Sequence, residues 1–130
     1  FNEQLKAGDE IALFAGSDGY ADGEQRRDFI HVDDVVAVNL WAAVTGKSGI
    51  YNLGTGTARS FNDVANAVLA CHGRGRIRYV PFPDHLRGSY QSFTEADLSG
   101  LRAAGYGGSF LSVEAGVRRY LEAINPPAAG

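Results

Sequence analysis

The chain has little of the residue types that mark several functional classes. Among its 130 residues there is one cysteine, one tryptophan and no methionine. The single cysteine, Cys71, excludes an internal disulfide and favours a reducing compartment, so we expect a cytoplasmic protein. No apolar stretch approaches the roughly 18 to 20 residues of a membrane-spanning helix, so we expect no membrane partner.

The charge balance excludes further classes. The formal net charge is −3 and the isoelectric point is about 5.5, whereas non-specific binding to nucleic acid requires clustered positive charge. We therefore expect no nucleic-acid partner, and we interpret the arginines within residues 74–78 as part of a solvated strand. The histidines lack the spacing of metal ligands, which predicts no metal site and structural roles for His31, His72 and His85.

Short apolar runs alternate along the chain with amphipathic stretches. The composition, 45% hydrophobic and 21% charged, is that of one folded domain with a core. Strands are predicted at residues 11–14, 29–32, 50–53 and 77–80. Strands that alternate with helices predict an α/β fold with parallel pairing of some strands.

Four helices are predicted from capping residues and apolar periodicity. The first begins at Asp33 or Asp34 and ends at Gly46, and the apolar positions expected to face the core are Val36, Leu40 and Val44. Ser60 and Asp63 form a capping box before the second helix, at residues 61–69.

The last two helices are also predicted from capping residues at their starts. Thr94 and Asp97 repeat the capping pattern before a helix that runs to Gly105. Ser112 begins the last helix, which Pro126 and Pro127 are expected to end. Its apolar face is expected to consist of Val113, Val117, Tyr120, Leu121 and Ile124.

The first eight residues are typical of the last turns of a helix. Gly8 closes this helix, and no capping residue precedes it. Together with the lack of methionine, this predicts that the chain is a piece of a longer protein.

Residues 25–35, written QRRDFIHVDDV, concentrate ionisable side chains around a short apolar run. Arg27 lies where a long polar loop becomes a strand, so its guanidinium can bind a phosphate through two parallel hydrogen bonds. An ion pair between Arg27 and Asp28 explains the same residues without a ligand, and both interpretations stand at this point. His31 and Asp33 have the spacing of a catalytic dyad, although a helix cap at Asp33 accounts for that aspartate as well.

Two other features have both a chemical and a structural interpretation. Tyr90 lies in a polar loop, where a tyrosine can stack on a base, hydrogen-bond to a sugar, or rest on the domain surface. Residues 54–56, Gly-Thr-Gly, follow a predicted strand as a dinucleotide-binding loop does, but that fingerprint needs a third glycine at position 59. Arg59 stands there, so the sequence predicts no cofactor-binding loop.

Three landmarks in a fixed order give the chain a family resemblance: RDFIHVDDV at residues 27–35, YNLGTG at residues 51–56 and the helix at 61–69. With them, the chain resembles the carboxy-terminal portion of the extended short-chain dehydrogenase/reductases, the group of nucleotide-sugar epimerases and dehydratases. Within that group, further stretches of the chain resemble the epimerases that act on ADP-heptose. These stretches are FNEQLKAG at residues 1–8, FAGS at 14–17, PFPD at 81–84 and ADL at 96–98.

The resemblance extends over essentially the whole chain and implies a fold and an activity. The fold is α/β, the carboxy-terminal part of an extended Rossmann-type fold, in which residues 1–130 form a substrate-binding subdomain and the last elements of the doubly wound sheet. The activity is interconversion of ADP-D-glycero-D-manno-heptose and ADP-L-glycero-D-manno-heptose through a transient ketone at C6, for lipopolysaccharide core biosynthesis.

The resemblance also implies a set of substrate contacts. In this interpretation Arg27 holds the diphosphate, the loop that begins at Phe14 packs around the nucleotide, and Tyr90 closes over the substrate. Ala15 stands where this loop of the family carries glutamate, which removes one hydrogen bond. The implied substrate-binding residues are Phe14, Ala15, Gly16, Ser17, Arg27 and Tyr90.

NADP is the cofactor that the resemblance implies, bound mainly by a dinucleotide-binding half that would precede residue 1. The acid/base residues of the family lie in a Tyr-x-x-x-Lys motif, which none of the six tyrosines here begins. We therefore expect no catalytic residue in this chain, no turnover by it alone, and a homo-oligomer for the longer protein. The alternatives are another UDP- or dTDP-sugar epimerase or dehydratase, and a non-catalytic nucleotide-sugar-binding module.

Overall fold

The computed structural model describes residues 1–125, so Pro126 and Pro127 lie outside the described residues. Within the described range the helices are α1 (Asn2–Ala7), α2 (Val32–Thr45), α3 (Phe61–His72), α4 (Ser99–Ala103) and α5 (Val113–Ile124). The strands are β1 (Glu10–Phe14), β2 (Arg26–Arg27), β3 (Arg59–Ser60) and β4 (Arg76–Val80), and a 3₁₀ helix spans Asp84–Leu86. None of these helices is both long and apolar enough to cross a membrane.

Two of the predicted strands form the main sheet. β1 and β4 pair in parallel along their full length, from Glu10 opposite Arg76 to Phe14 opposite Val80, which confirms the predicted α/β class. Because the residues of a strand point alternately to its two faces, Ile11 is buried on the core side of β1. β2 and β3 form a separate antiparallel pair of two residues each.

The arginines near β4 are paired with carboxylates on the surface. Arg76 and Arg78 lie 2.6 Å and 2.8 Å from the two carboxylate oxygens of Glu10, and Arg74 pairs with Asp9. Hydrogen bonds from Arg76 and Arg78 lower the pKa of Glu10. This pairing confirms the structural interpretation of the arginine cluster.

The core joins the sheet to α3 and α5. Its buried members are Leu5, Ile11, Leu13, Ala65, Val68 and Leu121. The capping box that begins α3 is formed as predicted, since Ser60 Oγ accepts from the Asp63 amide at 3.1 Å and Asp63 Oδ2 accepts from the Ser60 amide at 3.0 Å. At the start of α5, Ser112 Oγ accepts from the Ala115 amide at 3.2 Å.

Two predicted strands are wrong. Residues 29–31 and 50–53 form no regular element and pair with no strand in the described part of the chain, and Val32 is already the first residue of α2. A strand exists only through hydrogen bonds to a neighbour, and apolar runs alone do not supply one. Ile50, predicted to be buried in a strand, is fully exposed.

The start of α2 and the apolar face predicted for it are also wrong. His31, rather than Asp33 or Asp34, is the N-cap: its Nδ1 accepts from the Asp33 amide at 3.1 Å. The side of α2 that packs inward carries Val38, whereas the residues predicted to face the core are 48%, 61% and 86% exposed: Val36, Leu40 and Val44. The helix has apolar residues on nearly every side, so its periodicity does not select one face.

The helix predicted after Thr94 begins later than expected. The amide of Thr94 donates to the Arg26 carbonyl at 3.1 Å, and the amide of Ala96 donates to Asp28 at 3.1 Å. These long-range hydrogen bonds keep the segment out of the helix, and α4 begins at Ser99. Asp97 nevertheless has a capping role, because its Oδ1 accepts from the Ser99 amide at 2.9 Å.

Candidate functional site

Three aromatic rings meet where the two parallel strands end. Phe14 is the last residue of β1 and Phe82 follows β4 by two residues, so parallel pairing brings the two together. Their ring centroids are 5.5 Å apart, and those of Phe82 and Tyr90 are 5.2 Å apart, all in edge-to-face arrangements. Phe82 is buried, so the half-buried rings of Phe14 and Tyr90 are the accessible part of this aromatic group.

Arg27 lies against this aromatic group. The segment after Tyr90 runs beside β2, because the Arg26 amide donates to the Ser92 carbonyl at 2.9 Å. As a result, Arg27 Cζ lies 5.0 Å from the centroid of the Tyr90 ring and 6.0 Å from that of Phe61. A guanidinium that contacts a ring keeps N–H groups at its edge for other acceptors.

The guanidinium of Arg27 is only partly satisfied by the residues that the structure describes. Its Nη1 donates to the Arg26 carbonyl at 2.9 Å. Among residues 1–125 no carboxylate forms an ion pair with it. Since an arginine carries five N–H donors, Arg27 can still bind an anion such as a phosphate.

One interpretation of the sequence was an ion pair between Arg27 and Asp28. In the structure, the carboxylate of Asp28 has a different role. Its Oδ1 accepts from the amide and the hydroxyl of Thr55 at 2.7 Å and 2.5 Å, and its Oδ2 accepts from the amides of Gly56 and Ala96 at 2.9 Å and 3.1 Å. Burial alone would raise the pKa of Asp28, but the hydrogen bonds from Thr55, Ala96 and Gly56 outweigh it and lower that pKa. Asp28 therefore anchors the segment that carries Arg27.

The same contacts explain why the Gly-Thr-Gly loop is not a dinucleotide site. The amides of Thr55 and Gly56, which would face a cofactor phosphate, already donate to the carboxylate of Asp28. Arg59, in place of the third glycine, donates to Asp63 and Glu114 at 2.8 Å and 2.7 Å, and its hydrogen bonds to these carboxylates raise its pKa. The loop does not fit a nicotinamide dinucleotide.

The loop after Phe14 is held by buried polar contacts. Gln25 is 2% exposed, and its Nε2 donates to the Ala15 carbonyl at 3.0 Å and to Ser17 Oγ at 3.3 Å. The Gly16 amide donates to Asp22 Oδ1 at 2.7 Å. A Cβ on Gly16 would lie only 2.3 Å from the Tyr20 carbonyl oxygen, so glycine is required at this close approach.

A cavity of about 210 Å³ opens beside these residues. Its lining is apolar apart from Gln25 and the Tyr90 hydroxyl: Phe1, Ala12, Leu13, Phe14, Gln25, Phe61 and Tyr90. Of the residues predicted from the sequence, Phe14, Arg27 and Tyr90 converge here, and Gln25 connects Ala15 and Ser17 to them.

Sequence reasoning missed three residues of this site. Phe61 and Phe82 complete its aromatic surface, and Gln25 orders its loop. Phe82 could have been found from its position just beyond a strand parallel to β1. Gln25 gives no local signal, because its burial depends on tertiary contacts.

Two other candidates have structural roles. His31 Nδ1 accepts from the backbone amide of Asp33, and the carboxylate of Asp33 pairs with Arg119 at 2.6 Å, so the two residues have structural roles and form no catalytic dyad. His72 Nε2 lies 2.9 Å from Asn2 Oδ1, which connects the end of α3 to α1. No group of three possible metal ligands occurs among residues 1–125.

Comparison with known proteins finds similarity to epimerases. Residues 1–54 match the sequence model of the NAD dependent epimerase/dehydratase family. Over 125 residues, 95% of its length, the chain is 56% identical to the ADP-L-glycero-D-manno-heptose-6-epimerase of Alkalilimnicola ehrlichii, of which it covers 39%. The chain is thus similar to the NAD dependent epimerase/dehydratase family over its first 54 residues, and to a heptose epimerase over 95% of its length.

Solved structures of this epimerase/dehydratase family have the same fold. The crystal structure of ADP-L-glycero-D-manno-heptose-6-epimerase from Helicobacter pylori aligns with a TM-score of 0.70 and 29% identity, over 91% of this chain and 34% of that one. The UDP-glucose 4-epimerase of Thermus thermophilus in complex with NAD aligns with a TM-score of 0.67 and 26% identity, over 88% and 34%. The chain thus spans about two fifths of the curated relative and a third of the solved ones.

Proposed function

We propose that this chain is the substrate-binding portion of an epimerase that interconverts the two C6 epimers of ADP-glycero-manno-heptose. The residues proposed to contact the nucleotide sugar are Phe14, Ala15, Gly16, Ser17, Arg27 and Tyr90. The observation that supports the proposal most directly is the guanidinium of Arg27, which has unused donors and contacts the ring of Tyr90. The identity of 56% to a heptose epimerase supports the choice of substrate.

Each proposed contact has a chemical reason. Arg27 can bind diphosphate oxygens with two parallel hydrogen bonds, and its planar group is already oriented by the Tyr90 ring. The half-buried rings of Phe14 and Tyr90, which pack on the buried ring of Phe82, suit the flat face of a base or the apolar face of a sugar. The loop at residues 15–17 contributes backbone groups held in place by Gln25.

Cofactor binding and proton transfer belong, in this proposal, to polypeptide outside these residues. The relatives extend well beyond the segment that this chain matches, and their family is described as NAD dependent. We propose NADP as the cofactor, a homo-oligomer as the assembly and the cytoplasm as the location. The 130 residues alone are proposed not to turn over ADP-heptose.

The proposed site is tested by replacing Arg27. Arg27→Ala removes the charge-assisted contact to phosphate, which is worth about 1.5–3 kcal/mol, or roughly 10- to 150-fold in the dissociation constant of ADP measured by calorimetry. Arg26→Ala is the matched control, since side chains of neighbouring strand residues point to opposite faces. An unchanged affinity with a lowered melting temperature would make Arg27 structural and the site assignment wrong.

The substrate is tested by competition. With the longer parent protein, ADP-heptose should displace a bound fluorescent nucleotide at lower concentration than UDP-glucose does. The opposite order would support a UDP-sugar epimerase or dehydratase. Nucleotide-sugar binding without epimerisation by the longer protein would support a non-catalytic module, and sustained epimerisation by the 130 residues alone would contradict the proposed division of roles.

A further inference from the structure

Gln25 joins three segments that surround the proposed site. Its backbone carbonyl accepts from the Phe61 amide at 3.2 Å, at the start of α3. The amide of the next residue, Arg26, donates to the Ser92 carbonyl at 2.9 Å, which fixes the start of β2. From this fixed backbone the side chain of Gln25 extends to the loop at residues 15–17.

The carboxamide of Gln25 holds both ends of that loop. Its Nε2 donates to the Ala15 carbonyl at 3.0 Å and to Ser17 Oγ at 3.3 Å, and among residues 1–125 no other donor bonds to these two oxygens. The Gly16 amide, between them, is held separately by Asp22 Oδ1 at 2.7 Å. Loss of the carboxamide would therefore free the Ala15 carbonyl and the Ser17 hydroxyl and leave the middle of the loop in place.

The hydrogen bond from Gln25 also sets the direction of the Ser17 hydroxyl. A carbonyl oxygen only accepts, so the contact with Ala15 identifies the carboxamide nitrogen, and that nitrogen only donates. Ser17 Oγ therefore accepts from Gln25, and its own proton points elsewhere. Within the described residues no acceptor takes that proton. It is available for an acceptor on a ligand, such as a phosphate oxygen or a ring nitrogen of a base.

Packing alone does not account for a glutamine at this position. The side chain is buried beside the apolar residues that line the 210 Å³ cavity, and its Oε1 accepts no hydrogen bond from residues 1–125. Burial of a partly satisfied amide is unfavourable compared with burial of an apolar side chain of similar size. Methionine, which is unbranched and apolar, would fill the same space without this cost.

We propose that Gln25 is a positioning residue for the nucleotide sugar, which orients the Ser17 hydroxyl and holds the loop at residues 15–17 in its binding conformation. The inference rests on the proposed function, because it takes this loop as a ligand contact. A loop that is ordered before the ligand arrives does not have to be ordered on binding, and this raises the affinity.

The positioning role is tested by the binding of ADP to the full chain, measured by calorimetry. Gln25→Met keeps the length of the side chain but has no donor, and we expect an increase of about tenfold in the dissociation constant. Gln4→Met is the matched control, because Gln4 is exposed on α1. The control should bind ADP as the unsubstituted chain does. Binding by Gln25→Met within about twofold of the unsubstituted chain would overturn the inference.

A double-mutant cycle separates positioning from a loss of stability. Ser17→Ala should raise the dissociation constant about fivefold in the unsubstituted chain, since the hydroxyl donor is lost. In Gln25→Met, where that hydroxyl is no longer oriented, the same substitution should add less than about twofold. A destabilised fold would weaken binding to the same degree with or without the Ser17 hydroxyl, so effects of the two substitutions that multiply would overturn the inference.

Arg27→Ala distinguishes this inference from the proposed function. Weaker ADP binding by Arg27→Ala, together with an unchanged affinity of Gln25→Met, would overturn the inference and leave the proposed function standing. An unchanged affinity of both variants, or no binding of ADP by the unsubstituted chain, would overturn both.

Discussion

Asp28→Asn tests the anchor that holds the Arg27 segment. The substitution keeps the size of the side chain, and its Oδ1 can still accept from Thr55. At the position of Oδ2, however, an amide NH₂ would face the N–H groups of Gly56 and Ala96, which now donate at 2.9 Å and 3.1 Å. Two backbone donors would lose a charged acceptor and meet another donor instead.

The expected cost follows from these two hydrogen bonds. A hydrogen bond to a charged group contributes about 1.5–3 kcal/mol, and water can reach part of this half-buried site, so we expect a loss of about 2–4 kcal/mol in the free energy of unfolding. Urea denaturation followed by circular dichroism measures it. Asp97→Asn is the matched control, because the Oδ1 of asparagine can still accept from the Ser99 amide as Asp97 Oδ1 does. A loss below about 0.5 kcal/mol for Asp28→Asn would refute the reasoning.

The same carboxylate predicts the direction of a pH dependence. The pKa of Asp28 is lower in the folded chain than its ordinary value of 3.8, so the unfolded chain binds a proton first as the pH falls. Its contribution to stability is therefore fully present above that ordinary value and is lost as the pH falls through the folded pKa. Below pH 4, the urea concentration at the unfolding midpoint should fall less steeply with decreasing pH in Asp28→Asn than in the unsubstituted chain. Equal slopes would show that Asp28 does not contribute to the pH dependence of stability.

Three more substitutions, one of them a control, test the site loop and the α3 cap in the same assay. Gly16→Ala should lower the free energy of unfolding by about 1–3 kcal/mol, since its Cβ would lie 2.3 Å from the Tyr20 carbonyl oxygen. The control Gly100→Ala, which has open space around it in α4, should raise the free energy of unfolding by about 0.5–1 kcal/mol. A stabilising Gly16→Ala would contradict the packing of the loop. Ser60→Ala should cost about 1 kcal/mol because the Asp63 amide loses its acceptor, and a neutral result would mean that the capping box contributes nothing.

The elements predicted correctly are those that depend on neighbouring residues. The start of α3 follows from Ser60 and Asp63, and the start of α5 from Ser112, because a cap joins atoms within three residues. β1 and β4 contain the apolar runs assigned to them, and their parallel pairing agrees with the predicted class. At the candidate site, Arg27 and Tyr90 were singled out by residue type and resemblance, and the structure brings them into contact.

The elements that were wrong depend on distant partners. Residues 50–53 have the composition of a strand but no neighbouring strand in the described part of the chain. The segment after Thr94 has a capping pattern, but hydrogen bonds to Arg26 and Asp28 draw its backbone away from the helix. The helix α2 has apolar residues on all sides, so its sequence does not indicate which face is buried. In the structure the buried face carries Val38, which packs against Leu101 and Tyr106.

The sequence by itself determined the α/β class, two helix caps, the resemblance to epimerases and the residue types available for binding, because each of these depends on local pattern or on similarity along the chain. Only the tertiary structure decided that Asp28 serves as an anchor instead of a partner for Arg27, and that His31 caps a helix while its other ring nitrogen is buried without a hydrogen-bond partner among residues 1–125. The physical reason is that a side chain acquires its role from the acceptors and donors that folding places around it. Those groups come from positions as far apart as Asp28 and Ala96.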